Sequence, residues 1–142
     1  MYYHFKIHKE TRGYWAECVE LTGCVTQGKD MADLAENMSE ALNLYLDEAT
    51  DSKHIFPLPS ERSVSKNILK VAVKPSIAFA LILRQTRLKH KLTQSHIAKL
   101  LGMKNIYSYQ RLESPKTSNP ALSTIARLKE VMPDLKLEKV FA

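Results

Sequence analysis

The stretch Leu92–Glu113, "LTQSHIAKLLGMKNIYSYQRLE", decides how the second half of the chain folds. Thr93 can cap a helix with Ile97 and Leu101 inward, and Gly102 supplies the left-handed backbone that ends it. A second helix then buries Ile106, Tyr109 and Leu112 on one side of its wheel. The other side carries Asn105, Tyr107, Ser108, Gln110 and Arg111. A solvated face of this length would carry Glu and Lys in i,i+4 pairs, yet the only acid, Glu113, lies at the end.

Those residue types suit nucleobase edges. Asn and Gln can bond adenine through two atoms, Arg can bond guanine the same way, and Ser or Tyr can reach bases or phosphates. Two helices joined by a short glycine-containing turn match the helix-turn-helix, whose second helix enters the major groove of duplex DNA while the first lies across the backbone. Gln94, at the start of the first helix, is the expected phosphate contact, with Lys104 and Lys91 beside it. An αα-hairpin that merely packs is the plainer reading, and the basic surroundings favour the DNA-facing one. One such domain is too small for tight specific binding, so a homodimer reading two half-sites of an operator is expected.

Outward from this stretch the helical pattern continues. Ser76 can cap a helix with Ile77, Ala80, Leu81 and Leu88 inward. Asn119 and Pro120 open a further helix, with Leu122, Ile125 and Leu128 inward and Pro133 after its end. The tail "LKLEKVFA" alternates imperfectly and reads as a strand able to pair with a second copy.

Before Pro75 the period is different. "YYHFKIH" places Tyr3, Phe5 and Ile7 on one face and His4, Lys6 and His8 on the other, "GYWAECVE" behaves similarly, and "CVTQ" is a third short strand. From Asp30, a suitable cap, Met31, Leu34, Ala35, Met38, Leu42 and Tyr45 recur at helical steps. "FPLPSERSVSKN" reads as a loop and "ILKVAV" as a returning strand. The expected fold class is α+β: a small β-sheet domain with one covering helix over residues 1–75, with a loop at 57–67, then an all-α helix-turn-helix domain over residues 76–142.

Charge separates the same halves. Residues 1–60 hold five Lys/Arg against ten Asp/Glu, net −5, whereas residues 61–142 hold sixteen against five, net +11. A basic half attracts polyanions and an acidic half is poorly suited to them, so one nucleic-acid surface spread over the whole chain is not expected. The longest apolar run, "AFALIL", is far short of the roughly 20 residues that cross a bilayer, and no basic leader with an apolar core opens the sequence, so a cytoplasmic location is expected. Cys18 and Cys24 read as small buried hydrophobes, and no zinc-ligand spacing accompanies them. Neither a metal nor a cofactor is expected.

Two motifs together resemble known families. "LTQSHIAKLLG" followed by "YQRLE" is similar to the Cro/repressor type of helix-turn-helix, and "GYWAECVELTGCVTQG" leading into an acidic helix and "FPLP" resembles the HicB antitoxins. From Gly102 to Glu113 the chain is one residue longer than the usual Cro-type pattern, so the helical wheel assigns the outward residues here. The resemblance implies an antitoxin that binds a small RNA-cleaving toxin of the HicA type and represses its own operon. It also implies a first domain similar to part of an RNase H fold. A toxin that grips RNA should be basic, which makes Glu17, Glu20, Asp30, Asp33, Glu36 and Glu40 candidate toxin contacts, with Trp15 as an anchor.

Nuclease chemistry on an RNase H-like sheet needs several carboxylates on neighbouring strands to hold divalent ions, and the first strand carries none. His4 and His8 are about 13 Å apart along a strand, too far for one ion, and read as exposed strand histidines. The chain is therefore not expected to be an enzyme. The alternative function is a helix-turn-helix repressor whose first domain senses a small ligand or another protein.

Overall fold

The computed structural model describes residues 1–49, 51–61 and 64–142. The chain is a mixed α+β protein that divides into two compact units, Met1–Asp47 with Phe56–Lys74, and Glu48–Ile55 with Pro75–Ala142. The first unit is nearly neutral, with eight Lys/Arg against nine Asp/Glu; the second carries thirteen against six, net +7.

In the first unit, β1 (Tyr2–Lys9), β2 (Tyr14–Cys18), β3 (Val25–Gly28) and β4 (Ile68–Ala72) form one antiparallel sheet in the order β3-β2-β1-β4. The alternation of β1 sends Tyr3 and Phe5 into the core opposite Val71 and Leu69, while Ile7, expected beside them, is half-buried near the strand end. Helix α1 (Met31–Tyr45) covers that face. Asp30 caps it, accepting from the Asp33 N–H at 2.8 Å, and Leu34, Met38 and Leu42 are buried as the spacing predicts. Met31 and Ala35, assigned to the same stripe, are exposed at its margin. Gly28 lets α1 approach the sheet: a Cβ there would stand 2.5 Å from the Leu34 nitrogen. Arg62 and Ser63, within the expected loop, lie outside the described residues.

The second unit contains α2 (Pro75–Lys89), α3 (Gln94–Leu100), α4 (Ile106–Glu113), α5 (Leu122–Val131) and α6 (Glu138–Phe141). Helix α2 is buried on all sides from Ile77 to Arg84, which makes it the central helix. It begins at Pro75 itself, so Ser76 lies inside the first turn and is not the cap; Leu88 is half-buried. Helix α3 starts at the Thr93 cap and ends as expected at Gly102 (φ +69). There Met103 N–H bonds the Ala98 carbonyl at 2.9 Å and Gly102 N–H that of Lys99 at 3.0 Å, the paired bonds of a Schellman ending.

Two expectations at the C-terminal end are corrected. Helix α5 begins at Leu122, after Asn119 and Pro120, and its buried stripe is shorter than expected: Leu122 is 85% exposed, Ile125 is half-buried and, of the three, only Leu128 is fully buried. The tail is not a strand. It forms the single turn α6 packed on α2, with Leu135 and Val140 in the core of its own unit.

Candidate functional site

The α3–α4 pair is built around a buried ion pair that the sequence pattern did not disclose. Glu113, fully buried, accepts from Arg87 Nε at 2.5 Å and Nη2 at 3.0 Å, from the Tyr109 hydroxyl at 2.5 Å and from Gln94 Nε2 at 2.9 Å. Arg87 completes its fork by donating from Nη1 to the Leu92 carbonyl at 2.8 Å. Burial alone would lower the Arg87 pKa, but the Glu113 carboxylate outweighs it and holds the guanidinium charged; burial and that same carboxylate push the Tyr109 hydroxyl up. One carboxylate thus joins α2, α3 and α4. The lone acid of α4 faces inward, and the outward side of that helix carries none.

The expected reading residues fall into two groups. Lys104, Tyr107 and Arg111 are exposed, Tyr107 at 71%. Asn105 and Ser108 are exposed as well but also start the helix: Asn105 Oδ1 accepts from the Ser108 N–H at 3.0 Å and its hydroxyl at 3.3 Å. Gln110 is half-buried and donates from Nε2 to Gln94 Oε1 at 3.1 Å. Gln94, expected to meet a phosphate, is instead the bridge between Gln110 and Glu113, so its side chain orients a residue of α4. Ile106, expected in the core, is half-buried. The hydroxyls of Ser118 and Thr117 bond the Leu112 and Arg111 carbonyls at 2.7 and 2.8 Å, closing the C-terminal end of α4.

In the first unit the seven candidate protein-binding residues do not form one patch. Trp15 and Glu17 lie on the sheet face opposite α1, where His8 stacks on Trp15 with centroids 4.0 Å apart and its Nε2 lies 3.1 Å from Glu17 Oε1. Asp30, Asp33, Glu36 and Glu40 are on the other side, at and along α1. Of these, Asp30 and Asp33 are engaged at the start of the helix, Asp33 accepting from the Lys29 N–H at 3.0 Å. Glu36 and Glu40 are exposed.

Glu20 belongs to neither surface. Its carboxylate accepts from His4 Nδ1 at 2.6 Å and from the His4 backbone N–H at 3.1 Å, with the two side chains only 5% and 3% exposed. Burial would raise the Glu20 carboxyl; the His4 hydrogen bonds outweigh it and hold it below the usual carboxylate value of 4.5. His4, expected on an exposed face, is instead covered by the turn that carries Glu20, whose neighbour Val19 donates to the His4 carbonyl at 2.8 Å. The two cysteines are buried and free, as expected. Among the described residues no group of three or more His, Cys, Asp or Glu could hold a metal ion, and no helix is long and apolar enough to cross a membrane.

No family model matches the chain. Over 40 residues, 28% of its length, it is 45% identical to a UPF0150 protein of Helicobacter pylori strain J99, and that similarity spans 56% of the relative.

Proposed function

We propose that the chain is a HicB-like antitoxin and autorepressor, whose second unit binds operator DNA as a dimer and whose first unit binds a small RNA-cleaving toxin. In this reading α3 and α4 are the helix-turn-helix, and the four-stranded unit is the partial RNase H-like module of HicB proteins. The observation that carries it is the outward side of α4. With Glu113 drawn inward onto Arg87, that side offers Tyr107, Ser108, Gln110 and Arg111 to a polyanion with no carboxylate among them, on a unit of net +7. The UPF0150 proteins are the HicB-like family, which supports the same assignment.

The outer face of α1, with Glu36 and Glu40 and no Lys or Arg in the helix, suits a basic toxin and speeds its encounter. The chain acts by binding and catalyses no reaction. Affinity isolation of the tagged chain from its native cells tests the toxin half: a short basic protein should co-purify and cleave RNA once separated. Recovery of this chain alone under mild conditions would favour a repressor that senses a small ligand.

A further inference from the structure

Residues Glu48–Ile55 leave the first unit in sequence but pack with the second. Local bonds shape them: the Ser52 N–H donates to the Ala49 carbonyl at 3.0 Å and the His54 N–H to the Ser52 hydroxyl at 3.1 Å. Helix α2 supplies an attachment, because Arg84, 2% exposed, donates from Nη2 to the His54 carbonyl at 3.5 Å and lies in the field of Glu48. A buried guanidinium is costly without such partners.

The attachment places Lys53 and Asp51 in the wall of a concavity of about 530 Å³ whose other walls include Lys91, Thr93, Ser95 and Ile106. Arg87 also lines it, but is committed to Glu113. Lys91 has φ 55, a left-handed backbone that glycine adopts far more readily, and among the described residues it is the one non-glycine residue in that conformation. That conformation ends α2: the Lys91 N–H donates to the Leu88 carbonyl at 3.0 Å and the Leu92 N–H to the Arg87 carbonyl at 3.2 Å, the paired bonds of a Schellman ending. Two lysines, Lys53 and Lys91, thus line one concavity with Asp51 and Ser95, beside the Thr93 that caps α3, at the edge of the α3–α4 pair.

We propose that this cleft grips a phosphodiester of the duplex DNA backbone, with Lys53 as a contact contributed from outside the helix-turn-helix. The proposal rests on the DNA-binding reading above. Lysines bind phosphates as point charges, and a contact of this kind fixes register on the duplex without reading its sequence.

The test uses the full chain and measures affinity for a duplex from its own upstream region and for a scrambled duplex between 50 and 200 mM salt. Lys53→Ala should weaken both duplexes by the same factor and reduce the slope of log affinity against log salt by about 0.9 for each protomer bound. Its deficit should therefore shrink about 3.5-fold per protomer across that range. Lys53→Arg should restore binding, and Asp51→Asn should tighten both duplexes. If Lys53→Ala and Asp51→Asn leave affinity and slope unchanged while Arg111→Ala loses sequence preference, the cleft is refuted and the DNA-binding reading stands. Weakening by Lys53→Ala on the upstream duplex alone would also overturn the phosphate assignment. A wild-type chain that binds neither duplex refutes both readings.

Discussion

Replacing Glu113 by Gln tests whether one carboxylate ties the second unit together. The amide keeps the shape but turns a donor toward Arg87 or Gln94, and the buried Arg87 loses its counter-charge. Removing one partner of a buried pair costs about 3–5 kcal/mol. At about 0.05–0.15 kcal/mol per residue, a unit of 76 residues has about 4–11 kcal/mol to lose. The variant should therefore forfeit about a quarter or more of that stability and lower the midpoint by about 12 °C or more. Far-UV circular dichroism at 222 nm follows the helices, five of which lie in this unit, while Trp15 in the first unit is the only tryptophan. The helical transition should move and the tryptophan fluorescence transition should stay. The double change Arg87→Met with Glu113→Leu should be milder than Glu113→Leu alone, since it leaves no unpaired charge. A Glu113→Gln variant within about 1 kcal/mol of the parent in urea unfolding would refute the network's role, because even one lost charged hydrogen bond is worth more.

Other expected outcomes are separable from that one. Arg111→Ala should cost about 1–3 kcal/mol on the specific operator and little on random duplex, measured by fluorescence anisotropy. Glu36→Lys with Glu40→Lys should slow association with a basic toxin at low salt and leave the urea midpoint in place, as read by surface plasmon resonance. Because the folded Glu20 carboxyl is held below 4.5, it adds stability that is present above that pH and lost as pH falls toward its lowered folded value. Glu20→Gln should flatten the acid side of the stability profile below pH 4.5, and an unchanged profile would show that the His4 contact contributes nothing. Gly28→Ala drives a methyl against the Leu34 backbone and should destabilise the first unit by about 1–3 kcal/mol, followed by Trp15 fluorescence.

Periodicity located most of the elements, because strands and capped helices are decided by neighbours in sequence. The Thr93 and Asp30 caps and the Gly102 ending were all legible for that reason. Residue type alone does not show that three charged side chains point inward. Arg84 and Arg87 continue the inward stripe of Ile77, Ala80 and Leu81, and Glu113 continues that of Ile106 and Tyr109, so the wheel carried the signal that residue type concealed. Burial of His4 depends on a turn 16 residues away, and no local pattern reports it. The same holds for Lys53, which lines the same concavity as Lys91 because residues 48–55 pack with the second unit. Helix α5 starts later than Asn119 and Pro120 suggest, because proline at a first turn is common but not obligatory, and Ala121 is extended here.

The measurement that bears most directly on the account is the affinity of the purified chain for its own upstream duplex relative to a scrambled duplex of equal length, at moderate ionic strength. The account predicts tighter binding to its own sequence, by a margin that Arg111→Ala removes. Equal affinity for the two duplexes would contradict it.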